Sequence, residues 1–275
     1  MSLSGSLADQ GPLWLVGAGN MGGAMLRGWI AAGIDPALVT VIDPFATNLP
    51  DGVASFSAPP PDGAAPATLV LAVKPQLLDE VFPAIAAALE AETLLVSILA
   101  GVEITSLRTR FPSPKAVLRV MPNMPVSIGK GVMALHGDGL GAGDRARAAA
   151  LMAPLGIVEW IAEEGLFDAV TAVSGSGPAF LFRFIDALAE GGAALGLPAD
   201  QAARLAIATV EGSALLAAAA DISPGALADR VASPGGTTRA GLNVLDEGDA
   251  IKALLRHTLE AAARRGAEMA AAARK

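Results

Sequence analysis

Leu13-Trp14-Leu15-Val16-Gly17-Ala18-Gly19-Asn20-Met21-Gly22 is an apolar run that breaks into G-x-G-x-x-G and continues into an Ala-rich helical pattern. A strand feeding a glycine loop and then a helix is the context in which this spacing binds a dinucleotide. Gly17 permits the tight turn, Gly19 lets a pyrophosphate approach the backbone, and Gly22 lets the helix lie close to the sheet. Asn20 and Met21 sit at the helix start, where unpaired N–H groups and the helix dipole favour phosphate. The bland alternative is a glycine-rich structural turn. A second apolar run, residues 39–42, closes on Asp43, at the distance of about 20 residues where an acid would bind the adenosine ribose hydroxyls. A carboxylate there repels a 2′-phosphate, which leans the cofactor toward NAD over NADP. Because Pro44 follows, Asp43 also reads as part of a plain Asp-Pro turn.

Outward from this loop, short Val/Ile/Leu runs alternate with helical segments as far as about residue 161, the pattern of repeated βα units on a parallel sheet. Strands are expected at 13–16, 39–42, 68–73, 93–98 and 117–121, with weaker ones at 132–135 and 157–161. Their near-continuous apolar character suits strands covered on both faces. Ligands in such sheets sit beyond the carboxyl ends of the strands. Ala72, Val73, Lys74 and Pro75, and Ala100 within the segment 97–101, therefore join the cofactor candidates. Lys74 reads three ways: a catalytic acid, a phosphate contact or a solvated strand-end charge. The proline-dense stretch 58–66 cannot hold a regular helix and reads as a surface connection. After Glu163 no further strand is expected. Helices follow from Pro178, Pro198, Pro224, Pro234 and Ala250, the last running to near Arg274. The fold class is α/β: an N-terminal Rossmann domain on a mostly parallel, doubly wound sheet (13–162), then an all-α domain (163–275), after a flexible leader (1–12).

In the helical half, Ser233-Pro234-Gly235-Gly236-Thr237-Thr238 combines a good N-cap, a good first helical residue, two glycines and two hydroxyls. Ser233 as cap and Pro234 at the first helical position would leave the N–H groups of Gly235, Gly236 and Thr237 directed at an anion. An ordinary capped helix explains a Ser-Pro start equally well, and paired threonines in a first turn often only satisfy local backbone groups.

Composition narrows the function. The 275-residue chain carries a formal charge of −8, which argues against a nucleic-acid surface and for small molecules or another copy of itself as partners. With no cysteine, and only His136 and His257 for histidines, neither thiolate chemistry nor a Cys or His metal cluster is available, so no metal is expected. Missing cysteine also fits a reducing cytosol, and a cytoplasmic location is the expectation. Residues 1–12 lack the charged and apolar regions of a secretory signal. The mean hydropathy of +0.52 comes largely from alanine. The longest apolar candidate, 205–220, carries Glu211 and falls short of the ~20 apolar residues that span a bilayer, so no membrane partner is expected. Helices this apolar must bury more than one side, and a subdomain of about 110 residues has limited interior. The helical half is therefore expected to pack against a second subunit.

Five segments, in order along the chain, together resemble the pyrroline-5-carboxylate reductases. They are Gly17-Ala18-Gly19-Asn20-Met21-Gly22, Ala72-Val73-Lys74-Pro75-Gln76, Arg119-Val120-Met121-Pro122-Asn123-Met124-Pro125, Ser174-Gly175-Ser176-Gly177-Pro178-Ala179 and Val231-Ala232-Ser233-Pro234-Gly235-Gly236-Thr237-Thr238. The resemblance implies a Rossmann domain followed by a helical dimerisation domain, with dimers often assembled into rings. It implies reduction of 1-pyrroline-5-carboxylate to L-proline by NADPH or NADH. It places the substrate carboxylate at Ser233, Gly235, Gly236 and Thr237, and Thr238, the candidate catalytic residue, near the ring nitrogen. Two departures from the family pattern bear on the cofactor: Asp43-Pro44-Phe45 stands where a Ser, Thr or Arg commonly accepts a 2′-phosphate, and the stretch 58–66 replaces a short helix.

A protonated imine is already a good hydride acceptor, so positioning and electrostatics suffice and no strong acid is needed. That agrees with the lack of a histidine near any motif. Asp221 could add negative potential near an iminium, but it also reads as a solvated residue flanking a helix. Ser174, Ser176 and Pro178 read as a tight turn into the long helix. A β-hydroxyacid dehydrogenase shares the G-x-G-x-M-G opening, but the helix from Pro178 contains Arg183 and no lysine to act as its acid/base. A non-catalytic dinucleotide sensor would leave the 233–238 segment without a role.

Overall fold

The computed structural model describes residues 10–60 and 64–273, with side chains as far as residue 271. Residues 1–9 of the expected leader, 61–63 of the proline-dense connection, and the end of the last helix at Arg274 lie outside the described residues. Among the described residues, eight strands form one sheet in the order β3-β2-β1-β4-β5-β6-β7-β8. They are β1 (Leu13–Val16), β2 (Val39–Ile42), β3 (Ala54–Phe56), β4 (Thr68–Leu71), β5 (Leu94–Ser97), β6 (Ala116–Met121), β7 (Gly131–Asp138) and β8 (Gly156–Trp160). All neighbours pair parallel except β6 with β7. Residues 122–130 join those two through a short 3-10 helix, Met124–Ile128, that ends on Gly129, left-handed at φ 66; this connection is too short for a parallel crossover, so the chain doubles back antiparallel. The helices on the sheet are α1 (Asn20–Ala31), α2 (Leu78–Ala86), α3 (Ile104–Arg110), α4 (Ala142–Met152) and α5 (Phe167–Val170).

Side chains alternate across a strand, and here both faces are apolar. Leu13 and Leu15 of β1 join Met25 and Trp29 of α1 and Leu151 of α4 in one core layer. Trp14 and Val16 join Ile85 of α2 and Leu107 of α3 in the other. Trp29 is fully buried and its ring N–H finds a partner in the Leu151 carbonyl, 2.8 Å away.

Several expectations need correction. β3 was not expected: its three residues are all exposed, so as an edge strand it shows no buried alternation. β4 ends at Leu71 rather than Val73, because Ala72 N–H is the last to pair with β1, on the Val16 carbonyl. Residues 10–12 are held rather than loose: Gln10 is 2% exposed, and the Ala67 and Thr68 N–H groups donate to the Pro12 carbonyl.

Packing divides the chain into a unit of residues 1–175 with 262–275 and a unit of residues 176–261. The expected division at 162/163 therefore differs from the packed one. α5 stays with the sheet because buried Phe167 stacks under the Arg119 guanidinium, 4.4 Å from its ring centre. The end of the last helix returns to the sheet unit as well. Gly101, left-handed at φ 75, has no side chain to hold off the backbone of Ala270.

The second unit contains α6 (Gly177–Ala194), α7 (Ala199–Ala219), α8 (Pro224–Arg230), α9 (Thr237–Asp246) and the first half of α10 (Ala250–Ala273). α6 packs on α7, yet α6 has no buried residue and α7 only Ala202 and Ala206. Phe182, Phe184, Leu188, Ile207, Leu215 and Leu216 all stand exposed. At 21 residues, α7 is long and apolar enough to cross a membrane by length and composition, contrary to the expectation from the 205–220 run. The helix begins at Ala199, and its alanines keep the mean hydropathy high despite Asp200 and Arg204.

Candidate active site

At the glycine loop each residue has the backbone role its position requires. Gly17 is left-handed at φ 93, and a Cβ there would lie 2.9 Å from the Ala72 carbonyl group, so β1 and β4 can close on each other only over glycine. A Cβ on Gly22 would lie 2.2 Å from the Gly17 carbonyl oxygen, so α1 seats against the loop for the same reason. Gly19 has nothing within 4 Å of its Cβ position, leaving an open approach to the backbone. α1 has no side-chain N-cap, and its first internal bond runs from the Gly23 N–H to the Gly19 carbonyl. The N–H groups of Asn20, Met21 and Gly22 are thus left without helical partners at an uncapped, positive helix end. A pyrophosphate fits this cradle.

Asp43 makes the turn that its sequence allowed and also reaches the glycine loop. Its Oδ1 accepts from the Phe45 N–H at 2.8 Å, forming the Asp-Pro turn. Its Oδ2 accepts from the Ala18 N–H, also at 2.8 Å, tying the turn to the glycine loop. A carboxylate held this way is a fixed negative charge at the loop with lone pairs left for hydroxyl groups. Phe45 beside it is largely exposed.

Ala72, Val73 and Lys74 leave the carboxyl end of β4, and Pro75 opens a one-turn helix that starts with the Leu77 N–H on the Lys74 carbonyl. The Lys74 side chain is exposed. Pro75 and Ala100, from the ends of β4 and β5, come together on the wall of a groove of ≈ 760 Å³ that Arg110, Arg265 and Met269 also line. Asp79 in the same groove accepts a hydrogen bond from Arg110 at 2.7 Å, and that bond holds its carboxyl below the ordinary carboxylate value.

The 233–238 segment belongs to the helical unit, and its geometry departs from expectation. α9 begins at Thr237, not Pro234, and its N-cap is Gly236, not Ser233. Gly235 is left-handed at φ 72 and the Gly236 N–H donates to the Ser233 carbonyl at 3.0 Å. Proline at the second position and a left-handed glycine at the third make a type II turn, and the φ of Gly235 cannot continue into a helix. The first internal bond of α9 is Ala240 N–H to Gly236 carbonyl, so the helix-end donors are Thr237, Thr238 and Arg239 rather than Gly235 and Gly236. The hydroxyl-bearing residues of the segment, Ser233, Thr237 and Thr238, are exposed. Arg239 is anchored by an ion pair to Asp229 of α8 at 2.8 Å.

Two features escaped the sequence reading. Arg119 on β6 is buried against Phe167 and pairs with Glu164 at 3.0 Å, and the same Glu164 oxygen accepts from the Ile104 N–H at the start of α3. The tight turn expected at Ser174, Ser176 and Pro178 is instead entered through a π-helix, Thr171–Gly175, whose Ser174 carbonyl is held by the Asn123 side chain. Proline at position 178 was the available signal for the second. Nothing local marks the first.

A family model for pyrroline-5-carboxylate reductase dimerisation matches residues 164–269, and one described as NADP oxidoreductase, coenzyme F420-dependent, matches residues 13–101. The pyrroline-5-carboxylate reductase of Pseudomonas aeruginosa is 36% identical over 261 residues, 93% of this chain and 95% of that protein. The enzyme of that name from Synechocystis is 42% identical over 202 residues, 73% of this chain and 74% of the relative. Among solved structures, Plasmodium falciparum pyrroline carboxylate reductase with NADP bound aligns at a TM-score of 0.82 with 28% identity, covering 94% of this chain and 98% of that one. The Coxiella burnetii pyrroline-5-carboxylate reductase aligns at 0.86 with 29% identity over the same shares.

Proposed function

This chain belongs to the pyrroline-5-carboxylate reductase family, and on that premise we propose that its 233–238 turn holds the substrate carboxylate while the glycine loop 17–22 holds the cofactor. The protein is an oxidoreductase that reduces the C=N bond of 1-pyrroline-5-carboxylate to give L-proline, with NAD or NADP as cofactor. The reduced nicotinamide supplies a hydride for the imine carbon, and the nitrogen ends with a proton. Everything else is positioning.

The observation that carries the site reading is the uncapped start of α9 behind a type II turn. Thr237, Thr238 and Arg239 present unpaired N–H groups and Ser233 an exposed hydroxyl, an arrangement suited to a carboxylate. With the carboxylate held, the Thr238 hydroxyl is the group to meet the ring nitrogen and fix which face of the imine is presented. In the cofactor unit, the N–H groups of Asn20, Met21 and Gly22 would take the pyrophosphate. Ala72, Val73, Lys74, Pro75 and Ala100 would line the nicotinamide side. Asp43 would take the ribose hydroxyls and, already aimed by two N–H groups, would repel a 2′-phosphate, favouring NADH.

Residues 163–275 would serve dimerisation and substrate binding, and the exposed apolar faces of α6 and α7 support contact with a second copy, assembled further into a ring of dimers. The apolar length of α7 then serves the subunit contact rather than a bilayer. The net charge gives nucleic acid no surface, and the reaction suits the cytoplasm, where reduced nicotinamide cofactors circulate.

The test is the loss of absorbance of reduced cofactor when purified protein meets 1-pyrroline-5-carboxylate, with NADH and NADPH in parallel. Turnover is expected with a higher kcat/KM for NADH. A preference for NADPH would remove Asp43 from the choice of cofactor, and no turnover with either would remove the reductase assignment.

A further inference from the structure

The reduction leaves two motifs without a role, Met121-Pro122-Asn123 and Ser174-Gly175-Ser176-Gly177-Pro178, and in the structure they meet. In a helix the carbonyl of Ser174 would accept from the N–H four residues on. That residue is Pro178, which has none. The carbonyl is taken instead by Asn123, whose Nδ2 donates to it at 3.0 Å. The other end of the same amide accepts the Val132 N–H at 2.8 Å, at the start of β7. Asn123 is 7% exposed, so both bonds are made away from water, where a missing partner is costly. The Ser174 hydroxyl is occupied on the Val170 carbonyl at 2.9 Å. One residue further on, a Cβ at Gly175 would lie 2.9 Å from the Met121 methyl carbon, so the two motifs touch here too, and a side chain at 175 would push aside the flexible end of Met121. Only a side chain with a donor and an acceptor a fixed distance apart can make both bonds, and Asn is the short residue that has them.

The location gives this joint its meaning. Asn123 lies just past the carboxyl end of β6, the side of the sheet on which ligands bind. Gly175 is the last residue of the cofactor unit before the chain passes into the unit that carries the 233–238 turn. A single-turn π-helix at such a place is common at functional sites. We propose that Asn123 is a positioning residue that replaces the N–H missing at Pro178 and holds fixed the segment by which the chain leaves the cofactor unit. Reduction of the substrate then depends on Asn123, and binding of the cofactor does not. This rests on the reductase reading above.

The experiment compares wild type, Asn123→Asp, Asn123→Ala, Pro178→Ala and the Asn123→Ala/Pro178→Ala double variant, measuring kcat/KM for 1-pyrroline-5-carboxylate and the NADH dissociation constant by fluorescence. Asn123→Asp keeps the acceptor for Val132 and sets a second acceptor against the Ser174 carbonyl. It is expected to lower kcat/KM about tenfold or more with the NADH dissociation constant within about twofold of wild type. Pro178→Ala restores an N–H for Ser174, so the loss caused by Asn123→Ala is expected to be about fivefold smaller in that background, a rescue that general destabilisation would not give. Equal losses from Asn123→Ala in both backgrounds, an unimpaired Asn123→Asp, or a parallel loss of NADH affinity would overturn the role. No turnover by wild type would instead overturn the reductase reading on which it rests.

Discussion

Thr238 is the second residue of α9, exposed, with a hydroxyl beside helix-end N–H groups that have no internal partner. Such a hydroxyl contributes little to folding, so Thr238→Ala is expected to lower kcat well over about tenfold while leaving the melting temperature close to that of wild type. Undiminished turnover would take Thr238 out of the site. Asp43 illustrates how one residue can carry both a local and a long-range role. Its sequence position allowed a turn or a ribose contact, and the carboxylate in fact uses one oxygen for the turn and the other for the glycine loop. Either bond alone would leave the side chain free to rotate about Cβ. Together they fix the orientation of the carboxylate beside the glycine loop.

Among the elements, the start of α9 depends on Gly235 more than on any side chain. Its Cβ position is clear of every atom within 4 Å, so replacement would not clash, but its φ of 72 lies in the region that side chains resist. Placing a β-carbon there costs about 1 to 2 kcal/mol, and relaxing that strain would turn the Gly236 and Thr237 backbone away. Gly235→Ala is therefore expected to raise KM for 1-pyrroline-5-carboxylate several-fold, with NADH affinity unchanged; an unchanged KM would show that the turn does not hold the carboxylate. Gly22 would fail for the opposite reason, since a Cβ there meets the Gly17 oxygen at 2.2 Å. The presence of a helix after Ser233 was legible from the apolar period, but its first residue was not. Ser-Pro is a good helix opening in isolation, and only the left-handed glycine that follows moves the start to Thr237.

At the scale of the whole molecule, the helical unit buries too little of itself to stand alone. Leu215, Leu216, Phe182 and Phe184 are exposed on helices that the dimerisation family model spans. Large apolar side chains exposed in this number are covered by a partner in stable assemblies. Light scattering at micromolar concentration is expected to give at least twice the 27.5 kDa of one chain; a mass of one chain would refute the dimer. The glycine loop, seven of the eight strands and the long helices could be read directly from the chain, because turn geometry and the period of apolar residues are local properties that each segment carries itself. The edge strand β3 could not, since an element exposed on every residue has no period to show. Nor could the division at 175/176, the return of the last helix to the sheet unit at Gly101, the buried Arg119–Glu164 pair, or the Asn123 bond to Ser174. Each of these joins residues far apart in sequence, and such contacts exist only once the sheet has brought the ends of its strands together. The amino-acid sequence alone thus determined the fold class, the dinucleotide loop and the family of reaction. The tertiary structure decided which N–H groups at the starts of α1 and α9 lack helical partners and which side chain takes the Ser174 carbonyl.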